Sequence, residues 1–190
     1  TLFFGVEFEL NVMPLPPPGA LLCLHCGTVD EALRATLVAM QHKPTACELI
    51  DKKILDCTLQ SSAQAQNRSF LVGDPGAVLV VELRHADHSQ LTQLLDAVQS
   101  QWHSAQLGYA CPVLFGAEGD KVWNLRRAGQ GIVNNIPGAA RPREIVEDTA
   151  VAVADLPAYI AEFDHLLAET YGIECIHYAH AGAGELHLRP

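Results

Sequence analysis

Charged side chains are scarce in this 190-residue chain, and basic ones are the scarcest. Charged residues make up 18% of the sequence, against about a quarter in an average globular domain. The 12 Lys and Arg against 22 Asp and Glu give a net charge of −10. This balance excludes a nucleic-acid partner, because phosphate backbones require a basic surface. A sparsely charged surface also fits a domain that has one face covered by a partner domain.

Long apolar runs and export signals are missing as well. No stretch is long enough to span a bilayer, and no cleavable signal peptide is visible. We therefore expect a cytoplasmic protein, with attachment to the surface of the inner membrane left open. Because the sequence begins at Thr1 in strand-like alternation and not at Met, we expect the chain to be part of a longer protein.

Neither a phosphate-binding loop nor a paired cysteine motif is present. The segment GAGELH at 182–187 lacks the third glycine of a dinucleotide fingerprint, and GAEGDK at 116–121 is not a P-loop. The one C-x-x-C, Cys23 to Cys26, lies in a predicted strand, where positions three apart face opposite sides. We interpret the six scattered cysteines as buried free thiols in a reducing compartment.

Hydrophobic periodicity alternates between strand and helix along the chain. A capping box of Thr28 and Glu31 opens one predicted helix, and Asp87 and Asp155 are predicted to cap two others. The predicted strands are 1–19, 20–27, 45–51, 76–85, 108–116, 143–153, 173–180 and 185–190. The predicted helices are 28–41, 52–60, 87–102, 120–135 and 155–172.

Charges within the strands decide between two sheet types. Alternation of strands and helices alone suggests a parallel, doubly wound sheet. The strands at 1–12 and 143–153 carry charges, however, which favours an antiparallel sheet with one less buried face. The pattern therefore predicts an α+β domain without a nucleotide site of its own. The order of strands and helices is also compatible with a twofold repeat.

Four segments, at 45–56, 122–131, 144–163 and 177–190, occur in an order and spacing known from one family. Together they resemble the C-terminal substrate (cap) domain of FAD-linked oxidases of the vanillyl-alcohol-oxidase type. This family includes D-lactate, glycolate and D-2-hydroxyglutarate dehydrogenases. The resemblance covers nearly all of residues 1–190 and is strongest to a bacterial branch that also carries an iron–sulfur module.

The resemblance implies a mainly antiparallel sheet with helices on one side, built as a doubled ferredoxin-like unit. It implies an N-terminal domain that holds FAD and precedes Thr1, and an iron–sulfur cluster in a module that follows. The implied reaction is oxidation of a 2-hydroxy acid, such as D-lactate or glycolate, by hydride transfer to the flavin. The implied partners are this small molecule and the FAD domain, with a homodimer left open. The chain alone is expected to be inactive.

One arginine is the candidate for holding the substrate carboxylate. Arginine suits this role because its planar fork pairs with a carboxylate through two hydrogen bonds. Arg126, in VWNLRRAG, matches the substrate-binding arginine of the family. Its neighbour Arg127 is interpreted as a solvated helix charge.

Two histidines near the end of the chain are the candidates for metal ligands. His180 and His187 match the H-x6-H pair that binds zinc, manganese or iron in many family members. A metal there would lower the pKa of the substrate hydroxyl and orient it, and His187 is the catalytic candidate. Gly182 and Gly184 are expected to allow the turn and the close approach of a cofactor. His177 has the opposite strand parity and should face away.

The chain departs from the family pattern at several positions. The block usually reads H-x-G-D-G-N-x-H, but Ala183 and Glu185 replace its Asp and Asn. Arg189 and Val146 stand where some members have Asn and Lys. These departures leave open a substrate other than 2-hydroxyglutarate or lactate, and a carboxylate third metal ligand is expected beyond Pro190.

Three interpretations stay open at this point. Glu147 and Asp148 are read as solvated strand carboxylates in preference to groups that support the site. The chain could also be a ferredoxin-like ligand-binding or regulatory domain without catalysis, because a fold does not fix a function. A stand-alone metal-dependent hydrolase would need a carboxylate ligand beside His180 and His187, for which Glu185 is the nearest candidate.

Overall fold

The computed structural model describes residues 8–10, 12–59, 61–133 and 146–190, without the side chains of residues 130, 133 and 147. The strands in these ranges are β1 (Gly19–Cys26), β2 (Ala46–Asp51), β3 (Ala77–Arg84), β4 (Val113–Phe115), β5 (Val146–Ala150), β6 (Ile176–His180) and β7 (Glu185–Arg189). The α-helices are α1 (Val29–Met40), α2 (Lys52–Leu59), α3 (His88–Ser104), α4 (Gly116–Val133) and α5 (Leu156–Tyr171). None of these helices is long and apolar enough to cross a membrane.

The strands form one sheet in the order β4-β1-β3-β2-β6-β7-β5, and every pairing in it is antiparallel. The predicted α+β class is confirmed. Apart from the inserted α2, the run from β1 to β4 has the β-α-β-β-α-β order of a ferredoxin-like unit. The run β5-α5-β6-β7 repeats its first four elements, and β5-β7-β6 matches β1-β3-β2 in strand order. The equivalent strands β2 and β6 meet at the middle of the sheet.

Helices lie on both faces of the sheet. α1, α3 and α5 pack on one face, where Leu22 and Leu24 of β1 join their core. α2 and α4 pack on the other face, against Leu21 and Cys23. The expectation of helices on one side is therefore correct for three helices and wrong for α2 and α4. The physical reason is that β1 and β3 are apolar on both faces, so both faces need cover.

Local signals placed most elements correctly. Thr28 caps α1 through a 3.1 Å hydrogen bond from the Glu31 backbone N–H, and Asp87 caps α3. Asp155 occupies the N-cap position of α5, but its side chain makes no capping hydrogen bond. Cys23 and Cys26 lie in different cores on opposite faces, as predicted from strand parity.

The N-terminal strand prediction is wrong where it can be checked. Residues 8–10 and 12–18 belong to no strand, and the rest of that prediction lies outside the described residues. The apolar side chains of Phe8, Val12 and Leu15 stand exposed. Alternation alone could not give this stretch a strand partner.

A buried histidine ties the second repeat to the first. Nδ1 of His177 on β6 lies 3.0 Å from the Asp51 carboxylate at the end of β2, and Nε2 lies 2.9 Å from Asp164 on α5. Burial alone would lower the pKa of His177, but the hydrogen bonds and charges of Asp164 and Asp51 outweigh it and raise the pKa to about 9. His177 faces away from His180, as predicted, and serves the packing of the fold.

Gly184 closes the turn between β6 and β7. Its φ is 72°, in the left-handed region, and a Cβ on it would overlap the carbonyl oxygen of Val151. Gly182 is also tightly packed, because a Cβ there would lie 2.9 Å from Cβ of Cys47 and 3.1 Å from Sδ of Met40. The chain itself therefore requires both glycines.

We predict that His177→Gln destabilises the protein most at low pH. A pKa raised from the ordinary 6.5 to about 9 gives stability that is fully present below about pH 6.5 and is lost as the pH rises through 9. Denaturant unfolding from pH 6 to 10 should show a wild-type advantage on the order of 3 kcal/mol at pH 6 that shrinks toward pH 10. Replacing the exposed His88 by Gln is the matched control. A difference in the free energy of unfolding that does not change with pH would contradict a protonated His177 held by Asp51 and Asp164.

We predict that Gly184→Ala costs more stability than Gly172→Ala. Both glycines are left-handed, with φ of 72° and 64°, but a Cβ at Gly172 meets nothing within 4 Å. Gly172→Ala should therefore cost only the backbone strain of roughly 1–2 kcal/mol. Gly184→Ala should cost that strain plus the displacement of Val151, measured as the free energy of unfolding. Equal losses in the free energy of unfolding would show that the turn shifts to accommodate the added Cβ.

Candidate active site

Five polar residues of the β6–β7 hairpin share one face of the sheet: Tyr178, His180, Glu185, His187 and Arg189. Tyr178 is the cross-strand partner of His187, and His180 is the partner of Glu185. Residues of this parity lie on one side of the sheet, the side on which α4 packs. The hairpin therefore presents two imidazoles, a carboxylate and a phenol together.

Three of these side chains can meet at a single ion. One ligand atom from each of His180, Glu185 and His187 lies within 4.8 Å of the others, and the two imidazole rings are 5.5 Å apart between centroids. Two imidazoles and a carboxylate are a donor set for zinc, manganese or iron(II). The predicted histidine pair is thus brought together, and Glu185 offers the third ligand that was expected only beyond Pro190.

Glu48 on β2 orients one of the imidazoles. Its Oε1 lies 3.1 Å from Nδ1 of His180, and its Oε2 pairs with Arg126. A carboxylate can only accept, so the shorter contact with Glu48 favours a proton on Nδ1 of His180 and leaves the Nε2 lone pair for a metal. Nη2 of Arg126, 3.4 Å from the same Nδ1, then contacts the ring without donating to it. Most of the Glu48 side chain is buried, which strengthens these contacts relative to a solvent-exposed pair.

Arg126 is buried at the centre of this face. Its Nη1 donates to the Tyr178 hydroxyl over 2.7 Å, and that hydroxyl donates in turn to the Arg126 carbonyl oxygen. The guanidinium carbon also lies 4.2 Å from the centre of the Tyr178 ring. Among the described residues its Nε has no acceptor. Arg127, by contrast, is exposed and donates to Oδ1 of Asn124, so the structure separates the two arginines as the sequence interpretation did.

Asp148 approaches the second imidazole from the opposite side. A bulge in β5 sets residues 147 and 148 against the single residue His187, because Val146 pairs with Leu188 and Thr149 with Leu186. The backbone of Asp148 is left-handed, with φ of 53°, and its Oδ1 lies 3.2 Å from Nδ1 of His187. Asp148 is solvent-exposed, as predicted, but it also contacts the site. The side chain of Glu147 is outside the described set.

An open cleft of about 410 Å³ leads to the same place. Its lining includes His180, Glu48 and Glu185, together with Met40, Pro44 and Gly182. The cleft gives a small polar molecule access to His180 and Glu185.

The glycine turn gives no evidence of a flavin cradle. The space beside Gly182 and Gly184 is filled by Cys47, Met40 and Val151 of the same chain. Packing explains both glycines, and their assignment to cofactor contact stays a prediction.

Sequence reasoning missed Glu48 and Tyr178 and ranked Asp148 too low. Glu48 lies 132 residues from His180, and no local pattern reports such a distance. A charged residue within the apolar strand ACELID was the one available signal, because an isolated buried carboxylate needs a partner.

Comparison with known proteins agrees with this picture. The family model for the C-terminal domain of FAD linked oxidases matches residues 15–190. The chain is 31% identical over 199 residues to a D-2-hydroxyglutarate dehydrogenase of Pseudomonas putida. It is 27% identical over 202 residues to one of Escherichia coli, and 25% identical over 190 residues to one of Xanthomonas citri pv. viticola.

These alignments cover all or nearly all of this chain but only part of each relative. The chain spans 20% of the length of the P. putida and E. coli proteins and 38% of the X. citri protein. The family model, however, matches 176 residues of the 190, counting from 15 to 190. This chain belongs to the family of C-terminal domains of FAD linked oxidases.

Proposed function

We propose that this chain is the substrate domain of an FAD-dependent dehydrogenase that oxidises a 2-hydroxy acid to the 2-oxo acid. In this proposal a separate domain of the same protein holds the FAD, which accepts the hydride from C2. The observation that carries the proposal is the cluster of His180, Glu185 and His187 beside the buried Arg126. A divalent-metal donor set next to a guanidinium suits a molecule that bears a hydroxyl and a carboxylate on adjacent carbons.

The residues of this chain divide the work of holding that molecule. His180, Glu185 and His187 would hold a divalent metal, which supplies a Lewis acid that lowers the pKa of the substrate hydroxyl. Arg126 would pair with the carboxylate, with Nε as its uncommitted donor. Burial raises the pKa of Tyr178, so this phenol stays protonated and keeps the guanidinium in place. The chain thus binds and orients the hydroxy acid.

The substrate is best described as a class. The relatives are named D-2-hydroxyglutarate dehydrogenases, and the residues support any acid with adjacent hydroxyl and carboxylate groups. D-lactate and glycolate stay predictions, and D-2-hydroxyglutarate joins them as a candidate. Family membership weighs against a stand-alone hydrolase and against a purely regulatory domain, although Glu185 supplies the ligand that a hydrolase would require.

The function is tested by anaerobic titration of the full-length protein that contains this chain. The protein should carry FAD, and its absorbance near 450 nm should bleach on addition of one enantiomer of a small 2-hydroxy acid. A panel of D- and L-lactate, glycolate and D- and L-2-hydroxyglutarate would define the substrate. A protein without flavin, or a flavin that none of these acids reduces, would overturn the proposal.

We predict that Arg126→Lys raises KM for the hydroxy acid more than it lowers kcat. Lysine keeps the positive charge but loses the two-pronged geometry, and a hydrogen bond to a charged group is worth roughly 1.5–3 kcal/mol. That range corresponds to roughly a 10- to 150-fold change. Arg127→Lys, one position away and exposed, is the matched control and should leave both constants unchanged. Unaltered kinetics in Arg126→Lys would remove Arg126 from the site.

We predict that the full-length protein holds about one divalent ion per site in this chain. His180→Ala and His187→Ala should each abolish both the bound ion and the activity, because two protein ligands hold such an ion poorly. Glu185→Gln should lower the affinity for the ion by a smaller factor, measured by elemental analysis and chelator competition. His42→Ala, on the short turn after α1, is the control. Full activity in both histidine variants would show that the pair is structural.

A further inference from the structure

We propose that Asp148 is a positioning residue that holds His187 in the orientation and tautomer needed to ligate the metal. This inference rests on the proposed function, because it concerns the same histidine pair. In a neutral imidazole one nitrogen carries the proton and the other has the lone pair. If Nδ1–H of His187 faces the Asp148 carboxylate, Nε2 is the atom left to ligate.

The bulge in β5 is what brings the carboxylate to this position. In a regular strand residue 147 or 148 would stand alone opposite His187, with its side chain above or below the sheet. Two residues occupy the space of one here, and the left-handed backbone of Asp148, with φ of 53°, redirects its side chain. The contact of 3.2 Å between Oδ1 of Asp148 and Nδ1 of His187 follows from this distortion.

The other histidine of the pair is held in a matching way. Glu48 lies on β2, and its carboxylate is 3.1 Å from Nδ1 of His180. Each imidazole thus has a carboxylate at Nδ1, one from either side of the β6–β7 hairpin. Histidines that bind a metal commonly donate their second ring N–H to a carboxylate. The carboxylates at Nδ1 of His180 and of His187 therefore point to the same role, which is to orient a metal ligand.

Stability does not explain the position of Asp148. A left-handed conformation is unfavourable for residues with a Cβ, and Asp148 is 73% exposed, so its contact with His187 adds little to the stability of the fold. Unfavourable backbone conformations that are retained without a structural return concentrate at functional sites. Besides Asp148, the side chains of Tyr178, His180 and Glu185 lie near His187.

The test compares Asp148→Gly and Asp148→Asn in the full-length protein, with zinc chloride as the probe. Zinc affinity is measured by competition with a chromophoric chelator, and the imidazoles bound to zinc are counted by X-ray absorption at the zinc edge. Asp148→Gly should lose about 10- to 100-fold in zinc affinity, the usual loss for a residue that orients a metal ligand. Its melting temperature should not fall, because glycine adopts φ of 53° without strain.

Asp148→Asn is the conservative variant. Asparagine tolerates the left-handed conformation and keeps an acceptor oxygen, so it should recover most of the zinc affinity that glycine loses. Gln106→Gly is the matched control, because Gln106 is exposed and has φ of 55° but lies at the end of α3. It should leave zinc affinity unchanged.

The outcomes separate this inference from the proposed function. Zinc affinity and imidazole count that are unchanged in Asp148→Gly would overturn the positioning role, while the proposed function would stand if hydroxy acids still bleach the wild-type flavin. A wild-type protein that binds no zinc would overturn both the positioning role and the metal site. A glycine variant that loses affinity only because it melts early would also count against the inference.

Discussion

Only two residue pairs, Leu49 with Ala179 and Ile50 with Tyr178, join β2 to β6 across the middle of the sheet. At each end of this short pairing a carboxylate of β2 crosses to a histidine of β6: Glu48 to His180 and Asp51 to His177. The two repeats are thus aligned by backbone pairing and by two polar contacts. The candidate site lies on one face of this junction, and the contacts of His177 with Asp51 and Asp164 lie on the other face.

The charges at the site suggest why a metal would matter for an anionic substrate. Among the described residues, Glu48, Asp148 and Glu185 bring three carboxylates to the histidine pair, and Arg126 pairs with one of them, Glu48. Under the proposed function, an anionic 2-hydroxy acid would meet repulsion from these carboxylates. A divalent cation would offset it, so binding of the ion and binding of the acid should support each other.

Much of the fold could be predicted from the sequence, because the signals are local. Apolar periodicity, the capping box at Thr28 and the N-cap at Asp87 specify helices within a few residues of themselves. Strand parity alone predicted that Cys23 and Cys26 lie on opposite faces of the sheet. It predicted the same for His177 and His180. The faces covered by α2 and α4 could not be predicted, since they depend on which strands become neighbours.

The site was predictable only in part, for the same reason. His180 and His187 are close in sequence, and a short turn unites them, so their spacing was informative. Glu48 and Asp148 reach them from strands that are distant along the chain. The contact of Asp148 depends further on a one-residue bulge, which no periodic pattern reports.

The close packing of Gly182 against Cys47 has a practical consequence. The Cys47 thiol is buried beneath the turn, and burial raises its pKa to about 12, so almost none of it is thiolate at neutral pH. Thr36 of α1 and the Gly182 turn both contact Cys47, so an alkylating reagent should react faster with this sulfur when either of them moves away from β2. The rate at which Cys47 is alkylated therefore reports how often this packing opens, without an added label.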